Sequence, residues 1–192
     1  MTTKRVVIVG IPGVGKTTVV TEVYSILQQK NITIKNLTFG TIMFQEAEKI
    51  GISDRDEMRK LSVSEQQSLQ IRAAKNIANI NSDVVLIDTH LFIKTISGYM
   101  PGLPQPILNS LLPTNLVLVE ASPEDVLSRR ENDPTRNRDS VTIESIELDN
   151  QIARSMLSSA GVLTSASLFI VTNADGKSKD AAQSIVQSLE LD

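Results

Sequence analysis

Cysteine is absent from the 192-residue chain, which removes disulfides, thiolate metal sites and cysteine nucleophiles together and is compatible with a reducing compartment. Tryptophan is absent as well, and aromatic residues make up only 3% of the chain, so stacking platforms for nucleic-acid bases are scarce. The 19 basic residues form no long run and the net charge is −3, which gives no broad electrostatic grip on nucleic acid. The apolar run near the start, Val6 to Gly10, is too short for a signal-peptide core or a membrane span. A cytoplasmic protein with no nucleic-acid or membrane partner is expected.

What the chain does contain suits one domain over residues 1–192. Hydrophobic residues make up 41%, enough at this length to bury a sizeable core. Five short runs rich in β-branched residues recur between longer helical patterns: Val6–Val9, Thr33–Leu37, Val84–Ile87, Leu116–Val119 and Leu168–Val171. Near-continuous apolar runs, in place of alternating ones, suggest strands covered on both faces, so the expected class is a three-layer α/β/α fold with a five-stranded parallel sheet. Val19, Val20, Val23, Tyr24, Ile26 and Leu27 predict an amphipathic helix from about Lys16. Ser62 with Glu65 has the form of a capping box, and Ser122-Pro123 reads as N-cap and N1. A further helix is placed after Thr142. Ser97–Pro106 and Asn132–Ser140 fit neither periodicity and are read as loops.

The segment Gly10-Ile11-Pro12-Gly13-Val14-Gly15-Lys16-Thr17-Thr18 has Walker A spacing, between a β-branched strand and a helix. Glycine lets backbone N–H groups turn toward phosphate oxygens, and the helix N-terminus adds partial positive charge. Lys16 is the group that reaches the β and γ phosphates of ATP, and the Thr17 hydroxyl is a hard oxygen ligand for Mg²⁺. Val84–Asp88 is an apolar run that ends in a carboxylate. At the C-terminal edge of a parallel sheet Asp88 borders the ligand crevice, where it holds Mg²⁺ directly or, as expected here, through water.

Thr89 and His90, the only histidine, follow Asp88 and are read as contacts to the phosphoryl acceptor. Asp54–Lys60 is dense in charge; Arg55, Arg59 or both suit an acceptor phosphate, because a guanidinium offers two parallel hydrogen bonds. Arg129, Arg130, Arg136 and Arg138 fall within ten residues. Arg136 and Arg138 share a face if their segment is extended, which lets both close on the phosphoryl group in flight. Arg129, with Lys16, Arg136 and Arg138, is assigned to catalysis. Arg154 is a further group within reach of the cleft, and the turn Asn173–Gly176 is placed beside the adenine ring. These residues alone leave open a different small-molecule kinase or a nucleotide-dependent switch.

Taken together, GIPGVGKTT at Gly10–Thr18, DRDEMRKLSV at Asp54–Val63, IDTH at Ile87–His90, SGYMPGLP at Ser97–Pro104 and DPTRNRD at Asp133–Asp139 resemble the archaeal-type adenylate kinases. Bacterial and eukaryotic adenylate kinases carry GGPGSGKGT and DGFPR where GIPGVGKTT and IDTH stand here. The resemblance implies ATP and AMP as substrates giving two ADP, a Mg²⁺ requirement and a homotrimer. It also implies an AMP-side insertion over about residues 40–80 and a lid loop over about 132–140. The apolar stretch Ser97–Leu112 is the suspected trimer contact.

Overall fold

The computed structural model describes residues 3–132 and 142–191. In chain order the elements are β1 (Lys4–Val9), α1 (Lys16–Gln29), β2 (Ile34–Thr38), α2 (Phe39–Glu48), α3 (Arg55–Lys60), α4 (Val63–Ala78), β3 (Val84–Asp88), β4 (Phe92–Thr95), β5 (Gly98–Pro101), α5 (Gln105–Leu111), β6 (Asn115–Glu120), α6 (Pro123–Glu131), α7 (Ile143–Thr164), β7 (Ser167–Thr172) and α8 (Ser178–Ser188). Five strands form one sheet in the order β2-β3-β1-β6-β7, and every pairing in it is parallel. The three central strands carry the fully apolar runs of the sequence, and Val6–Val9, Val84–Ile87 and Leu116–Val119 are all buried. Helices account for this by covering both faces: α1 and α8 pack together on one side, while α4, α5 and α7 line the other.

Strand order fixes where a ligand can bind. From β1 the chain passes out to β2, returns through β3, and then crosses to β6 on the opposite side of β1. The C-terminal end of β1 is therefore the topological switch point, where neighbouring crossovers diverge and leave a crevice.

The helix starts follow their sequence signals. The Ser62 and Thr142 side chains each accept from the backbone N–H three residues on and complete capping boxes, and Ser122 Oγ accepts from Asp125 N at 3.1 Å. The reading of Ser97–Pro106 as a loop is corrected. β4 and β5 form an antiparallel hairpin there, with Phe92 opposite Pro101 and Lys94 opposite Tyr99, and α5 begins at Gln105. The Phe92 and Tyr99 rings meet edge to face at 4.9 Å, and the hairpin docks on α7 through Asp149. This buried carboxylate accepts from Tyr99 Oη at 2.6 Å and from Lys94 Nζ at 3.1 Å. The bond to Asp149 raises the Lys94 ammonium; burial, with the same carboxylate, raises the Tyr99 phenol. Among the described residues, no helix is long and apolar enough to cross a membrane.

Candidate active site

At the switch point the chain turns from Val9 through Gly10–Gly15 into α1. Gly13 and Gly15 stand at φ 95° and 80°, the left-handed region that penalises residues with a Cβ. Space is a second constraint. A Cβ on Gly15 would lie 2.5 Å from Asn173 Nδ2, and one on Gly10 would lie 2.7 Å from the Val119 carbonyl oxygen. The glycines thus let the loop take its curl and let its neighbours approach.

Those neighbours brace the loop from behind. Asn173, buried after the end of β7, donates from Nδ2 to the Val14 carbonyl at 2.8 Å and from its backbone N to the Glu120 carbonyl at 2.7 Å. Arg129 of α6 donates from Nη2 to the Asn173 carbonyl and to Asp175 Oδ1, both at 3.2 Å, and from Nη1 to the Gly13 carbonyl at 3.5 Å. Arg130 Nε donates to the Pro12 carbonyl at 2.8 Å. The sequence put Arg129 among the catalytic groups; its guanidinium here lies on loop carbonyls. Asn173, expected beside the adenine through its backbone, turns its side chain inward to the loop. An asparagine after a strand gives no hint of that in the sequence, since 159 positions separate it from its acceptor.

Lys16 opens α1 and its ammonium pairs with Asp88 Oδ1 at the end of β3. The register brings the two together, because Asp88 lies opposite Ile8 of β1 and Thr89 N donates to the Ile8 carbonyl at 3.3 Å. Burial pushes the Lys16 ammonium down to about 8. Thr17, in the first turn of α1, and Asp88 offer a hydroxyl and a carboxylate. Such hard oxygen donors, few in number, fit a Mg²⁺ ion that keeps most of its water.

On the other side of Asp88, pairing with Thr38 puts the first turn of α2 beside the same edge. Arg55 is drawn to it: Nη2 donates to Thr41 Oγ1 at 3.2 Å, and the guanidinium lies 5.2 Å from the centre of the Phe44 ring. Arg59, one turn further along α3, pairs with Asp56 at 2.7 Å on an exposed face. Of the two, Arg55 is the one bonded to the first turn of α2. Thr89 is buried and His90 is exposed at the start of the segment leading into the hairpin. Arg136 and Arg138 lie outside the described residues.

One arrangement is absent from the sequence reading. Glu120, the last residue of β6, is buried, and its two carboxylate oxygens accept from Arg154 Nε at 2.7 Å and Arg154 Nη2 at 2.6 Å. The fork holds the Arg154 guanidinium above its already high ordinary pKa.

A family model described as an AAA domain matches residues 9–147. The adenylate kinase of Thermoplasma acidophilum is 41% identical over 189 residues, covering 98% of this chain and 100% of its relative. The chain belongs to the adenylate kinase family. Further adenylate kinases, from Methanocaldococcus jannaschii and Sulfurisphaera tokodaii, are each 40% identical, covering 99% and 95% of this chain and 100% and 97% of theirs. Among solved structures, the shikimate kinase of Acinetobacter baumannii in complex with shikimate aligns over 100% of this chain and 97% of its own, with a TM-score of 0.60 and 19% identity. The shikimate kinase of Aquifex aeolicus aligns with a TM-score of 0.55 and 18% identity, over 97% of this chain and 96% of its own. At that identity the two share a fold with this adenylate kinase, and the likeness extends no further.

Proposed function

We propose that this adenylate kinase transfers the γ-phosphoryl group of ATP to AMP at the switch point, with the loop Gly10–Thr18 as the donor cradle and Arg55, Thr89 and His90 on the acceptor side. Identity near 40% to adenylate kinases across nearly the whole chain supports the reaction. The observation that carries the choice of site is the convergence of Lys16 and Asp88 at the end of β1.

The main-chain amides of the loop bind the triphosphate, and Lys16 leaves Asp88 for the β and γ phosphates. When bound beside Thr17 and Asp88, Mg²⁺ would neutralise charge on the β and γ oxygens. Asn173, Arg129 and Arg130 hold the loop so that it does not reorganise as charge shifts. Arg55 presents a fork to the acceptor's phosphate. Arg136 and Arg138 are proposed to meet the phosphoryl group in flight. Arg59 is the weakest of the proposed acceptor contacts, since its charge faces Asp56 and solvent.

Coupled assays with AMP, CMP, UMP and GMP test the acceptor. AMP is expected to lead by a clear margin in kcat/KM; preference for another acceptor would retain the cradle and reject the named reaction. Lys16→Met is expected to abolish transfer while leaving the circular dichroism of the fold intact. Arg136→Ala and Arg138→Ala are expected to lower kcat far more than ATP affinity, and unchanged turnover in both would remove them from the mechanism.

We also infer a homotrimer. The hairpin supports it: Ile93 and Met100 form an exposed cross-strand pair on the side away from Asp149, and Ile96 at the tip is fully exposed. Exposed apolar side chains on one ribbon are the kind of surface at which proteins meet.

A further inference from the structure

Glu120 and Arg154 are not explained by anything the cradle needs to bind ATP. A carboxylate buried at a strand end is costly unless it is paired and hydrogen-bonded, and this one is satisfied by a side chain 34 positions away on α7. Its location is tightly fixed. The Glu120 carbonyl accepts from Asn173 N, the same asparagine that braces Val14, and the preceding Val119 carbonyl is the atom against which Gly10 packs. Glu120 is therefore a shoulder of the phosphate loop, across β1 from Asp88.

Arg154 is held there by only part of its donor set. A guanidinium has five N–H groups in a planar fork, and Glu120 engages Nε and one hydrogen of Nη2. Nη1 and the second Nη2 hydrogen are not among those bonds, and the Arg154 side chain is 60% exposed whereas that of Glu120 is 7% exposed. One edge of the fork is anchored to a buried carboxylate; among the described residues the other edge has no acceptor, and the side chain is largely exposed.

We propose that Glu120 is a positioning residue, which fixes the guanidinium of Arg154 so that its open edge donates to an oxygen of the phosphoryl chain bound at Gly10–Thr18. This rests on the reading of that loop as the donor cradle. Glu120 neutralises the guanidinium, so the pair adds little net attraction for the nucleotide as a whole. Its contribution is directional: N–H groups already in place where charge develops, with no reorganisation during transfer. An unanchored arginine at the same point would bind the ground-state triphosphate more strongly and stabilise the transferring group less.

That asymmetry separates positioning from simple structural support. In Glu120→Gln, kcat is expected to fall by about tenfold or more, while the dissociation constant of Mg·ATP, read by calorimetry, stays equal or becomes smaller because a negative charge has left the site. Arg154→Lys keeps the charge at an exposed position and removes the fork; the same fall in kcat is expected, read at a temperature well below a melting point that the loss of one donor to the buried Glu120 lowers. In the double variant Glu120→Gln/Arg154→Lys the losses should not add, since both remove one device. Wild-type kcat in Arg154→Lys overturns the proposal, as does additive loss in the double variant, or loss of ATP affinity in step with kcat in Glu120→Gln. Failure of the donor-cradle reading looks different: the unaltered protein would then take up no Mg·ATP in the same calorimeter.

Discussion

Lys16 carries the sharpest consequence at the scale of single residues. Its ammonium titrates near 8 in the free enzyme because it is buried, and only the protonated form attracts phosphate. Below that pH the charge is present and Mg·ATP binds with full strength; above it, binding must first restore a proton. The dissociation constant of Mg·ATP is therefore expected to rise by up to about tenfold per pH unit above the Lys16 pKa, until the pKa of the bound form is reached. Calorimetry from pH 6 to 10 checks this, and a constant affinity across that range would contradict it. The position of Lys16 was legible in the sequence because spacing alone defines the cradle. Asn173 and Glu120 were not legible, because their partners are Val14 and Arg154, and contacts between distant segments leave no periodic trace. Arg129 was found as a residue near the phosphates, but its bonds to the carbonyls of Gly13 and Asn173 depend on how α6 lies against the loop.

Among the elements, those that read correctly from sequence owe their form to local chemistry. The apolar runs of β1, β3 and β6 are buried throughout because each of these central strands is covered twice, and α4, α6 and α7 begin where a hydroxyl side chain can meet a free N–H. The hairpin of β4 and β5 escaped because Pro101, Pro104 and Gly98 are loop residues by composition. Pro101 nonetheless sits at the strand end, where it opposes Phe92, and Gly98 takes φ 117° at the turn. What secures the hairpin is tertiary, the docking of Lys94 and Tyr99 on Asp149. Tyr99→Phe removes one of two donors to a buried carboxylate and is expected to cost about 1–3 kcal/mol. Urea denaturation measures the cost. Faster amide exchange over 92–101 would localise it, and protection equal to that of the unaltered protein would show that Lys94 alone suffices.

For the whole molecule, the switch point organises everything described. β1 lies between the two strands that end in carboxylates, Asp88 on one side and Glu120 on the other, and each carboxylate holds a cation, Lys16 and Arg154. The proposed trimer belongs to this scale as well. Light scattering is expected to give three times the 21.0 kDa chain mass, and Ile96→Glu, at a fully exposed tip, is expected to lower it without unfolding the subunit. A trimer unaffected by that change would move the contact away from the hairpin. Residues 40–80, which the proposed function makes the acceptor side, leave and rejoin the sheet between β2 and β3.

Tyr99 resting on Asp149 has one more use. With no tryptophan and two tyrosines in the chain, near-ultraviolet emission comes from Tyr24 and Tyr99 alone. Tyr24 rides on the helix behind the phosphate loop, and the Tyr99 hydroxyl donates to a carboxylate, an acceptor that quenches an excited phenol. Release of the hairpin would brighten the protein without any dye, so this enzyme carries its own optical gauge of whether that ribbon is seated.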